Sequence, residues 1–321
     1  MQLPIAGRPC CFEFLRYKDS LAGPEPGINT YSDSETGSLS TTQDVDLRVR
    51  KDGFWCYCGP VLTGDGSSSI PSSLDEWCAS TLSRPLSGTL WPFLVYASVI
   101  LKQHGLQHYW ISVRATRANV EFDMARWHTD DLFFSREEKS GTMSCRVQRR
   151  PGEGGVSLLS KMRLPSSSLS SQPSLRRATA RQETDFKLCT TLRGPSTRFI
   201  APEHQAEARS LQASAKQQLA INHTCVDIRC VGCASTAEAV RIRLATDMAE
   251  LGWCQAAGPG ECVFFRLGPD CGAVHSEPPQ AEDDRVFVNV VPGTEAELRG
   301  LMTKWGMEFP RSWGVVKNGA C

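Results

Sequence analysis

Strand-like runs stand on both sides of a long polar tract, and that arrangement constrains the fold of this chain most. Tyr109 to Asp123 reads YWISVRATRANVEFD, alternating apolar and polar positions with many β-branched types, which predicts one or two strands. Asp185 to Ile200, DFKLCTTLRGPSTRFI, predicts a strand, a Gly194-Pro195 turn and a second strand. Further strands are expected at Cys262 to Leu267, at a short run into His275, and at Arg285 to Val291. Between the two groups, Ser135 to Glu183 is charged, then Gly-rich, then Ser-rich, with little periodicity, and is expected to be a disordered insertion or lid.

Helices complete an α+β pattern. Pro92 to Gln103 has the apolar density of a buried helix stopped at His104-Gly105. Pro202 to Leu219 and Ser235 to Leu251 read as peripheral helices, and TEAELRGLMTKW near the C-terminus as one amphipathic helix. The expected division is residues 1–84 as an N-terminal extension, disordered at about 23–43, then residues 85–293 as the main domain, then 294–321 as a C-terminal helix and tail.

Composition narrows the partners. With 321 residues, 40% hydrophobic, the chain can bury a core, and 35 Lys+Arg against 35 Asp+Glu give no electrostatic footprint for nucleic acid. The longest apolar run, Thr89 to Leu101, is shorter than the roughly 20 residues of a membrane span. MQLPIAGRPCCFEFLRYKDS lacks the apolar core of a secretion signal, so an intracellular, cytoplasmic protein acting on a small-molecule or protein substrate is expected. Fourteen scattered cysteines then read as reduced thiols. His223, Cys225, Cys230 and Cys233 are spaced as soft ligands that could hold zinc, with reduced structural thiols the alternative.

The chemistry gathers at Met124 to Phe134, MARWHTDDLFF. Residues two apart in an extended segment point the same way, so His128 and Asp130 can reach one ion, whereas Thr129 and Asp131 point away. Two histidines and a carboxylate suit non-haem Fe(II), and among the remaining histidines His275 sits best, at a strand edge. A polar turn is the competing reading of His128-Thr129-Asp130 taken alone.

HxD, a long gap, then His275 with Arg285 ten residues on resembles the motif of the 2-oxoglutarate/Fe(II)-dependent dioxygenases. The resemblance implies a double-stranded β-helix, a cupin-like jelly-roll barrel, with flanking helices. It implies His128, Asp130 and His275 as iron ligands, Arg285 as the cation for the distal carboxylate of 2-oxoglutarate, and O2 as co-reactant. Lys187 or Thr190 could donate to the cosubstrate, but they lie on opposite strand faces and only one can point inward. Phe287 and Asn289 share the face of Arg285, and with Trp127, Phe133 and Phe134 they are expected to line the pocket. Many relatives carry Ser where this chain has Phe287, so a cupin-like module that is inactive or uses another cosubstrate is the alternative.

Overall fold

Eleven strands and five helices are described, and the strands form two antiparallel sheets. The structure is a computed structural model that describes residues 11–18, 47–62, 70–120, 123–134, 184–220, 230–249, 252–268 and 270–317. All of these belong to one compact unit, Met1–Ser135 with Gln182–Cys321. The stretches expected to be disordered, 23–43 and 135–183, lie outside the described residues, as do His223 and Cys225 of the possible zinc set.

The large sheet comprises β1 (Phe12–Arg16), β2 (Gly53–Pro60), β3 (His108–Thr116), β5 (Phe186–Arg193), β8 (Glu261–Arg266), β10 (Arg285–Gly293) and β11 (Arg311–Val316), in the order β1-β8-β5-β10-β3-β2-β11. The small sheet is β4 (Arg126–His128), β9 (His275–Glu277), β6 (Arg198–Ile200) and β7 (Cys254–Ala256), in that order. From β3 to β10 the pairing is nested: β3 with β10, β4 with β9, β5 with β8, β6 with β7. Pairing of β10 with β5 and of β9 with β6 joins alternate pairs side by side, the first to the third in the large sheet and the second to the fourth in the small one. The barrel expected above is not closed; the sheets are two separately hydrogen-bonded layers.

Strand parity decides what each face meets. Val286, Val288 and Val290 of β10, with Phe186 and Leu188 of β5 and Ile111 and Val113 of β3, face α1 (Ser72–Thr81) and α2 (Ser87–Gln103), forming the main core. Helix α2 begins five residues before Pro92, because burying Leu90, Phe93, Leu94 and Ala97 outweighs the hydrogen bond that proline cannot donate. The opposite face packs Phe12, Cys189, Val263 and Phe265 against Phe199 of the small sheet. The small sheet's outer face is covered by α3 (Gln205–Leu219) and α4 (Val231–Ala249), through Ala208, Ala215, Leu244 and Met248 against Trp127, Ile200 and Val274. These helices, expected to be peripheral, close a core of their own.

The stretch 1–84 is more than an extension, since β1 and β2 hydrogen-bond into the large sheet and α1 lies under it. At the other end, β11 pairs with β2, and α5 (Glu295–Lys304) starts from a capping box of Thr294 and Glu297. No helix among the described residues is long and apolar enough to cross a membrane.

Candidate metal centre

Three residues from two distant parts of the chain meet where the sheets face each other. His128 ends β4 and His275 opens β9, and the register pairs them directly, with ring centroids 4.4 Å apart. Asp130 follows two residues after His128 and turns to the same side. Its Oδ1 is 3.5 Å from His128 Nε2 and its Oδ2 is 3.8 Å from His275 Nε2. One ligand atom from each of the three lies within 4.8 Å of the other two.

The backbone sets which nitrogen each imidazole offers. His128 Nδ1 lies 2.7 Å from Arg126 O, and His275 Nδ1 lies 2.9 Å from Ala273 O. A carbonyl can only accept, so each Nδ1 carries a proton and each ring turns its Nε2 toward Asp130, as a donor to the carboxylate when it is protonated and as a free lone pair when it is neutral. That is the outer-shell arrangement common to metal-bound histidines. With metal–ligand bonds of about 2.1 Å, ligand atoms at right angles stand about 3 Å apart. The 3.5 Å between Asp130 Oδ1 and His128 Nε2 needs to close by about half an ångström, and the three ligand atoms start within 4.8 Å of one another.

Charge at the site centres on Asp130. Burial pulls the His128 pKa down, but the hydrogen bond to Asp130 and that to Arg126 outweigh it, and the net shift is upward. Burial favours a protonated Asp130, but His128, His275 and Lys187 together hold its carboxyl far below the usual carboxylate range. His275 is pushed down to about 4, first by burial between Phe199 and Phe265, then by neighbouring His128. One anionic and two nitrogen donors suit a divalent transition metal.

The loop before β9 locks onto this segment. Gly268, in the left-handed region at φ 98°, donates its N–H to Asp130 O at 2.8 Å. A Cβ on Gly272 would lie 2.6 Å from Thr129 Cγ2 and would also strike the Gly268 carbonyl. Only glycine lets the two chains approach this closely.

Of the candidates for the cosubstrate, Lys187 points inward from β5, but to Asp130: its Nζ is 2.7 Å from Oδ2. Thr190 points the other way, donating to Glu261 O at 2.8 Å on the helical side. Arg285 shares the inward face of β10 with Phe287 and Asn289. It is 4% exposed, donates from Nε to Pro195 O at 3.0 Å and from Nη2 to Thr197 Oγ1 at 2.8 Å, and lies 4.4 Å over the Phe287 ring. Among the described residues no carboxylate pairs with it. Trp127, expected in the pocket, is turned by the same parity into the α3 and α4 core, and Phe134 packs beside α5; Phe133 stays near the inter-sheet layer.

Three residues went unnoticed in the sequence: Gln205, Arg209 and Gln212 on α3, whose side chains hydrogen-bond to the segments that carry the ligands. Their signal is polar side chains within the stripe of small residues Ala208 and Ala215. The other histidines with described positions are engaged elsewhere: His104 on Phe186, His108 beside Glu295, His204 stacked on Trp253 at 3.7 Å. Compared with known proteins, the chain matches no family model, no curated sequence and no solved structure.

Proposed function

We propose that this protein is an Fe(II)/2-oxoglutarate-dependent oxygenase that hydroxylates a small-molecule or protein substrate on a double-stranded β-helix. The observation that carries the reading is the convergence of two Nε2 atoms, each ring oriented by its Nδ1 against a backbone carbonyl, on one carboxylate. The fold reading rests on the nested pairs β3:β10, β4:β9, β5:β8 and β6:β7, an antiparallel ribbon folded over so that its strands are shared between two sheets, as in a jelly roll.

His128, Asp130 and His275 would hold the iron. Bound iron supplies the O2 and redox chemistry by which oxidative decarboxylation of 2-oxoglutarate drives hydroxylation of a C–H bond. Lys187 keeps one oxygen of Asp130 engaged, leaving the other for the metal. Arg285 is a buried cation with two of its five N–H groups used by neutral acceptors, so a carboxylate can take a bidentate pair of the remainder. Phe199 and Phe265 keep water from the inner side of His275.

A second reading, a metal-binding module with another cosubstrate or none, draws on Phe287. Its ring under the guanidinium, with Pro195 O and Thr197 Oγ1, already holds Arg285 in place without a dicarboxylate.

The test is anaerobic addition of Fe(II) and 2-oxoglutarate to the wild type and to His128→Ala, watching for the weak visible charge-transfer band of a chelated 2-oxo acid. A band in the wild type that is lost in the variant is expected. Iron binding without the band moves the second reading ahead, and no metal binding reduces His128-Thr129-Asp130 to a polar turn.

A further inference from the structure

We propose that Gln205 and Gln212 of α3 are positioning residues of the metal centre, one for His275 and the other for the His128–Asp130 segment. This rests on the metal-binding reading above.

The peptide between Ala273 and Val274 is the key unit. Its carbonyl accepts from His275 Nδ1 at 2.9 Å, and its N–H donates to Gln205 Oε1 at 2.7 Å. A peptide is planar, so the glutamine that holds the N–H also sets the direction of the carbonyl, and through it the imidazole. The Gln205 amide in turn donates to Ile200 O at 2.6 Å and to Val274 O at 3.2 Å, which fixes its own orientation against β6 and the entry to β9. Two turns further along α3, Gln212 accepts from the hydroxyl of Thr129, the residue between the two ligands of the other segment. Arg209 between them donates to Gly272 O at 3.1 Å. One helix face therefore grips both strands that bring ligands to the site.

Packing alone does not call for glutamines here. Gln205 is 2% exposed and Gln212 6%, and their neighbours on the stripe, Ala208 and Ala215, meet Ile200 and Val274 with apolar contacts. Burying an amide costs free energy unless every polar atom is bonded. The two buried glutamines bond to the residues flanking ligands, and outer-shell partners of this kind typically set metal affinity by about 10- to 100-fold.

The measurement is Mn(II) affinity, by electron paramagnetic resonance of free Mn(II) in titrations of the full chain. Wild type should bind one Mn(II) and His275→Ala should not; absence of binding by the wild type would overturn both the metal reading and this one. Gln205→Met and Gln212→Met should each weaken Mn(II) by about 10-fold or more. Gln212→Glu, which keeps an acceptor for Thr129, should restore affinity to within a few-fold of wild type. Ala215→Gly, which loosens the same helix without touching the network, should lower the melting temperature and leave Mn(II) affinity unchanged. If the methionine variants fold and bind Mn(II) as the wild type does, or if Ala215→Gly weakens binding as much as they do, the positioning role is refuted. Should Gln205→Met fail to fold, the Gln212→Met and Gln212→Glu pair decides alone.

Discussion

Replacing Arg285 by methionine should leave the ligand-free protein about as stable as the wild type, although the residue is 4% exposed in the middle of a sandwich. Burial pushes its pKa from the ordinary 12.5 down to about 10. At about 1.4 kcal/mol for each tenfold step in proton affinity, keeping the charge there costs on the order of 3 kcal/mol. Against that stand two hydrogen bonds, to Pro195 O and Thr197 Oγ1, worth roughly 1 kcal/mol each once their partners are left unsatisfied, and the contact with Phe287. The opposing effects nearly cancel, and Arg285→Met should melt within about 4 °C of the wild type. Breaking a true buried ion pair would instead cost about 3–5 kcal/mol, a drop on the order of 10 °C. The second arm is ligand response. With Mn(II) present and 2-oxoglutarate at about 100 times its dissociation constant, the wild type should gain roughly 2.7 kcal/mol. The variant should gain nothing. A variant that melts about 10 °C lower makes Arg285 a structural residue, and one that keeps the 2-oxoglutarate response removes it from the cosubstrate site.

Alkaline pH should destabilise the protein through its buried thiols. Burial pushes the thiols of Cys56 and Cys78 up to about 11 and those of Cys58 and Cys189 up to about 12. An unfolded thiol ionises near 8.5, so between about pH 9 and 11 the unfolded state binds fewer protons and stability falls as pH rises. Urea unfolding at pH 8, 9 and 10 should show a steep decline; equal midpoints would mean these thiols are not desolvated. Thr294→Ala removes the hydroxyl that accepts from Glu297 N–H in the α5 capping box and should cost about 1 kcal/mol, visible as a lower urea midpoint with unchanged slope. Phe199→Ala should cost about 3–5 kcal/mol, because its fully buried ring meets Phe12 at 4.9 Å, Phe265 at 5.5 Å and His275 at 5.4 Å. Amide exchange in β9 should quicken with it, and unchanged exchange there would show that the ring does not support His275.

Local rules carried the sequence reading a long way, and it stopped where long-range pairing takes over. Strand-like runs located β5, β8 and β10 to within a few residues, and the start of β3, since each turns large apolar residues toward the helical layer. They could not place β1 and β2 in the large sheet. A strand's neighbours depend on what the rest of the chain leaves unpaired, and β1 joins β8 across some 245 residues of sequence. Pro92 argued for a helix starting there, but burial of Leu90 overrode the local penalty. The helices α3 and α4 looked peripheral because their apolar stripes are thin; alanines and glutamines hide a face that is fully buried.

The site was readable where side-chain parity decides, and parity also held answers that were left open. His128 and Asp130 are two apart and meet; Trp127, one residue away, is necessarily turned into the opposite core. On β5, Phe186 and Leu188 have to face the helical layer, which puts Thr190 with them and sends Lys187 inward. The choice between Lys187 and Thr190 was therefore already contained in the two apolar residues beside them. What no local pattern could supply is the partner of Lys187. Asp130 belongs to a segment 57 residues earlier in the chain, and only the inter-sheet spacing brings it within 2.7 Å. That contact engages Lys187 with the carboxylate of the site, and on the reading proposed above an anionic cosubstrate would be left to Arg285.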